Sequence, residues 1–206
     1  LMFDSLPNAG LDSIEAAAAN IRERQISRMA LVGCTPETGP LIEASWRRAC
    51  IGLEAMATGP GRFLFGNRLS LADAAFYGQL KVMSYDPTPM VWLRKEAPYL
   101  YRWLDHADDA SGIEGDWDAT IRAPVRYLLG MAGDTYLPFL KANADALAEG
   151  AETFTLTIEG GRYEQGVFRY QAKCLANLRE AWAGLSADAR GQLDEWIGPG
   201  ADILNG

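Results

Sequence analysis

Histidine is almost missing from this sequence. One residue, His106, occurs in 206. That excludes two-histidine metal sites, the HExxH zinc helix and Cys2His2 fingers, so no metal centre is expected. Cysteine is scarce as well. Cys34, Cys50 and Cys174 are odd in number, lie far apart and form no CxxC. This speaks against a disulfide framework and fits a reducing cytoplasm. Basic residues are outnumbered, with 19 Lys plus Arg against 27 Asp plus Glu and a net charge of −8. A broad grip on nucleic acid or on an anionic membrane needs the opposite sign. No apolar run approaches the roughly 20 residues of a membrane span. The opening LMFDSLPNAG lacks the basic and long apolar regions of a signal peptide. The chain opens on Leu1 rather than a start Met, so a fragment, a processed product or part of a longer chain is expected.

What is present favours a folded, helical protein. Hydrophobic residues make up 49% and charged residues 22%, enough for a core. Residues 12–29 read as an amphipathic helix with Asp12 and Glu15 in a capping-box relation and Ile14, Ala18, Ile21 and Met29 on one face. Ile42, Trp46, Ala49, Leu53 and Met56 recur at spacings of four, three, four and three after Pro40, which predicts a second helix ending at Gly59-Pro60-Gly61. Residues 71–85 are apolar nearly all the way round, and this predicts the central core helix. DPTP at 86–89 reads as a rigid turn, and Met90–Lys95 as a short helix. Pro98 opens another helix with Leu100, Trp103 or Leu104, and Ala107 inward. Residues 118–147 are helical again, with Pro124 and Pro138 starting, kinking or breaking the pattern. TFTLTI at 153–158 alternates, and EGG follows, so a β-hairpin with a weak second strand is expected. Residues 169–183 and a last helix capped by Ser186 complete about seven helices and one hairpin. The expected organisation is a helical domain over 1–150 with a C-terminal extension, 151–206, packed on it.

The stretch RFLFGNRLSLADAAFYGQL, residues 62–80, has a mechanical reading. Ser70 precedes the 71–85 helix and Asp73 stands three residues on. Hydroxyl and carboxylate can each accept from the other residue's amide, a reciprocal N-cap worth about 1–2 kcal/mol. The FLFGxRxSLAD form resembles the box that opens the central helix in the C-terminal helical domain of glutathione transferases. DPTP at 86–89, RKEAPYLYRWLDHADDASG at 94–112, TYLPFLKANADAL and FRYQAKCLANLREAW are similar to a bacterial branch of that family. The resemblance implies a mainly α bundle with a small appended β-hairpin, glutathione as co-substrate, and a homodimer. It also implies that the thiol site belongs to a thioredoxin-like domain of which no residue is found here. The helical part then shapes the pocket for a small apolar electrophile. Two other functions stay open: a non-catalytic binding or assembly module, and a glutathione-independent enzyme using the bundle cavity.

Individual candidates carry less. Ser70 and Asp73 lack a companion base and read as the cap alone. His106 lies in DHADD, which reads as a solvated acidic face. Cys34 in GCTP stands just ahead of a helix, where a thiol can be activated. GPGRFLFG lacks the Lys-Ser/Thr of a phosphate loop. Tyrosines near helix ends and proline breaks are pocket candidates, since a phenol beside an apolar wall contacts ligands well. Tyr136 leads, because Pro138 should loosen the backbone bonding around it. Asn143, one to two turns on, could share its face, and Tyr85 and Tyr127 complete the set.

Overall fold

The computed structural model describes residues 11–206. The chain forms α1 (Leu11–Met29), α2 (Gly39–Ala57), α3 (Leu71–Met83), α4 (Pro87–Glu96), α5 (Pro98–Asp108) and α6 (Ala123–Met131). A π-turn (Ala132–Tyr136) joins α6 to α7 (Leu137–Glu149). Then come β1 (Thr153–Ile158), β2 (Gly161–Gly166), α8 (Arg169–Ala183) and α9 (Ala187–Ile197). A single tight turn (Ala30–Val32) follows α1, and a longer tight helical segment (Gly198–Leu204) follows α9.

Two cores result. In the first, Cys50, Leu53 and Met56 of α2 are 0% exposed. They meet Leu100, Trp103, Leu104 and Ala107 of α5, the face the spacing predicts, with Leu80, Leu93 and Val125 from α3, α4 and α6. The second, smaller core packs Leu137 and Trp182 against Ile197, Ala201 and Leu204. Each large side chain so buried contributes about 1.5–3 kcal/mol. Gly133 lets the two α-helical layers meet there. A Cβ on it would lie 1.9 Å from the carbonyl oxygen of Ile197.

The Ser70–Asp73 capping box forms as read. Ser70 is extended (φ −103°, ψ 167°), its Oγ accepts from the Asp73 amide at 3.2 Å, and the carboxylate accepts from the Ser70 amide at 2.9 Å. The same carboxylate also takes the Leu64 amide at 2.8 Å and the Ser70 hydroxyl at 2.5 Å. It therefore fixes the incoming loop as well as the helix. Ser186 caps α9 by accepting from the Ala189 amide.

Several expectations are corrected. α3 is an edge helix, and the central position expected of it goes to α2. Only Asp73 and Leu80 of α3 are buried, while Leu71, Ala74, Ala75, Gly78 and Val82 form an exposed stripe. The composition is that of a buried helix, but no described element lies on that side. α1 begins at Leu11, so Asp12 sits inside its first turn, where a carboxylate favours the helix dipole, and does not precede it as a cap. None of the described α1 side chains is buried. DPTP is not a turn but the start of α4. Asp86 is the N-cap, accepting from the Thr88 amide at 3.0 Å, and Pro87 fits the first turn because its missing N–H is not needed there. The second hairpin strand is not weak. All six residues pair, from Thr153 with Gly166 to Ile158 with Gly161. Tyr163 and Gln165 give it a buried face, and Glu159 and Gly160 both take positive φ in the turn. Arg48 of α2 ties that turn down through an ion pair to Glu159 at 2.7 Å.

Candidate functional site

At the seam where the first core meets the π-turn and the hairpin lies an open cavity of about 450 Å³. That is within the range of small-molecule sites. Five groups of residues build it. α2 presents Ile42, Ser45 and Ala49 on one face, and α3 contributes Phe76. Leu128 and Met131 end α6, and the π-turn adds Ala132, Thr135 and Tyr136. Phe139, Ile158 and Tyr163 close the back. No charged side chain lines it. Its polar side-chain groups are the hydroxyls of Ser45, Thr135, Tyr136 and Tyr163.

The π-turn is what opens the seam. Pro138 has no N–H to offer the carbonyl four residues back. The Leu137 amide reaches instead to Ala132 O, a closure over five residues. One extra residue is thus held in the turn, which brings Thr135 and Tyr136 to the cavity wall. Single π-turns inside helices recur at functional sites. Behind them Phe139 meets Phe154 and Tyr163 edge-on, with ring centroids 5.3 and 6.1 Å away. The Tyr163 hydroxyl has Val32 O at 2.9 Å and Gln165 Oε1 at 2.8 Å to donate to. That bond carries the hairpin onto the turn after α1.

Neither phenol is poised to ionise. Burial holds the Tyr163 hydroxyl above its ordinary range, and nearby Cys34 adds to this. Burial raises Tyr136 likewise, followed by Cys174 and Tyr170. Both are neutral hydrogen-bonding groups at pH 7. The cavity can hold an apolar molecule and orient one polar atom of it. Among the described residues no cluster of side chains could hold a metal ion.

Of the residues singled out in the sequence, Tyr136 lies on the cavity wall. The other three do not line it. Asn143 is completely buried and clamps one residue, accepting from the Phe168 amide at 2.7 Å and donating to the Phe168 carbonyl at 3.0 Å. Tyr127 packs its ring on Gly52, where a Cβ would stand 2.7 Å from it. Tyr85 is 71% exposed beyond the end of α3, with the Lys81 ammonium 5.8 Å from its ring centroid. Cys34 is half-buried in the turn before α2, and the Cys50 thiol is pushed up to about 12 by burial. Thr135, Ser45 and Phe76 escaped the sequence reading. Tyr163 was legible in principle, because period-two alternation through Gly161–Gly166 puts it on the face shared with Phe154 and Ile158.

Over residues 10–106 the sequence matches the family model for the glutathione S-transferase C-terminal domain. The match ends within α5, so the α2 and α3 walls of the cavity fall inside it and the walls from Leu128 to Tyr163 lie beyond it. No curated protein and no solved structure matches the chain.

Proposed function

We propose that residues 10–106, a glutathione S-transferase C-terminal domain, combine with the C-terminal helices and hairpin into the substrate-pocket part of a glutathione transferase-like protein. The observation that carries this is the seam cavity, apolar, uncharged and about 450 Å³. It suits a small apolar electrophile. Conjugation would join the sulfur of glutathione to an electrophilic carbon and expel a leaving group such as chloride, with the thiol proton passing to solvent. Glutathione is the co-substrate, and its binding and activating groups belong outside this sequence. Three free thiols support a cytoplasmic location.

Two measurements on the purified chain test this. Quenching of tryptophan fluorescence by 4-nitrotoluene, an unreactive nitroaromatic, is expected to saturate. Ala49→Trp, which fills the cavity from α2, is expected to abolish it. The chain alone is expected not to accelerate conjugation of 1-chloro-2,4-dinitrobenzene with glutathione. Conjugation by this chain alone would overturn the placement of the thiol site, and quenching indifferent to Ala49→Trp would overturn the cavity.

A second reading, an assembly module, is favoured by one observation. The exposed stripe of α3 and the exposed Ile26, Met29, Leu31 and Val32 at the end of α1 are two apolar faces that no described residue covers. A homodimer would cover them, as sedimentation velocity would show.

A further inference from the structure

A second cleft, of about 510 Å³, opens between the loop after α2 and one face of α5. On α5 the residues Tyr99, Arg102, Trp103 and His106 follow at spacings of three, one and three, one face of a helix. Gly59 to Phe63 form the facing wall, and Arg62 projects from it. Trp103 fixes the separation of the two walls. Its ring is buried, and its Nε1 donates to Arg62 O at 2.9 Å.

The charges around this cleft are sorted. Asp105 and Asp108, which flank His106 in sequence, are turned to α3, where Asp105 meets Lys81 at 3.0 Å and Asp108 accepts from the Tyr77 hydroxyl. Asp109 accepts from Ser111. Glu54 is turned to the start of α5, accepting from the Leu100 amide at 2.6 Å and the Tyr99 amide at 3.3 Å. Arg122 lies beneath Gly61 with its charge met by Asp118 at 2.6 Å. What lines the cleft is Arg62, Arg102 and His106, with no carboxylate among the lining residues. Among the described residues neither arginine side chain has an ion-pair or hydrogen-bond partner. In a chain of net charge −8, this is a local reversal of sign inside a concave site.

We propose that this cleft binds a small organic oxyanion. The carboxylate or phosphate is held by the Arg62 and Arg102 guanidinium groups beside His106, and an apolar body rests on Tyr99 and Ile113. Guanidinium groups match the planar and tetrahedral oxygens of such anions with paired donors. Ala57 and Ile113 give the cleft the apolar wall that a bare inorganic ion does not need. The site is separate from the seam cavity and stands independently of the transferase reading.

His106 supplies the probe, because one histidine gives one imidazole C2–H signal in the proton NMR spectrum of the full chain. Phenyl phosphate and benzoate are titrated at low salt against sodium chloride of matched ionic strength. Either aryl anion is expected to shift the signal saturably, and whichever binds more tightly identifies the headgroup. Arg102→Gln and Arg62→Gln are each expected to weaken binding by about tenfold or more. Arg102→Lys, which keeps charge but loses the fork, is expected to fall between. Both arginines are exposed, so the variants should keep the wild-type circular dichroism. A shift that never saturates, or that sodium chloride reproduces, would overturn the site, as would unchanged affinity in the Arg62→Gln/Arg102→Gln double variant. Inorganic phosphate binding as tightly as phenyl phosphate would overturn the apolar contact.

Discussion

Asp73 in the first core and Asn143 beside the second are both completely buried polar side chains that bind a loop to a helix. They do so by different chemistry. The carboxylate only accepts, so it gathers three donors: two amides and a hydroxyl at 2.5–2.9 Å. Its charge is further met by the N-terminus of α3. The carboxamide of Asn143 donates and accepts, and it spends both on Phe168 as a neighbouring strand would. One pin concentrates charge on a loop next to it in sequence. The other is neutral and reaches 25 residues along the chain. A buried anion is safe only where local backbone supplies donors. A neutral amide can fasten distant segments without a solvation penalty for charge.

Three outcomes would break or sharpen that contrast. Asp73→Ala should be the most damaging, about 3–4 kcal/mol by urea denaturation, because it orphans the buried Leu64 amide along with the cap. Hydrogen exchange should speed at Leu64 and Ser70 and stay slow at Phe168. Asn143→Ala should cost less, about 2–3 kcal/mol, for two unpaired backbone groups and no charge. Its exchange signature should be the reverse, fast at Phe168 and slow at Leu64. A common loss of protection in both variants would show that the two halves open as one. The smallest effect separates the cores by pH. Burial raises the Cys50 thiol to about 12 in the folded chain. The unfolded chain loses that proton near pH 8.5. Above this the folded state binds the extra proton, so stability falls as pH rises toward 12, by about 1–2 kcal/mol at pH 10. Cys50→Ala should flatten that slope, leaving the part due to the other raised groups, Tyr77, Lys81, Lys95, Tyr136 and Tyr163, which both proteins share. An unchanged slope would mean that Cys50 does not stay buried.

The same contrast explains what could be read from the sequence. Asp73 was legible because its partners stand three and nine positions away and the S-x-x-D spacing has a mechanical meaning. Asn143 was not, because nothing near it in sequence announces Phe168. Periodicity located α2 and α5 correctly, since both have a buried stripe and a wet one. It misjudged α3, since apolar composition reports what a face can bury and not whether a neighbour is there. Tyr136, singled out through the donor that Pro138 lacks, lies on the cavity wall. His106 and its acidic neighbours are exposed, as the sequence suggests; what the sequence does not announce is that Tyr99, Arg102 and Trp103, three to seven residues earlier, share its face.

The π-turn at Ala132–Tyr136 also sets a rule about chain length. Each helical residue advances the direction of side chains by about 100°. Removing one residue from that turn would let it close over four residues. Leu137, Leu140 and Asn143 would then swing by about that angle relative to Val125, away from the second core and from Phe168. Outside Gly133, where a side chain would strike Ile197, the segment should accept substitutions but not a change of length by one. A single-codon deletion there is therefore a frameshift in three dimensions, with the reading frame of the gene intact and that of the helix lost.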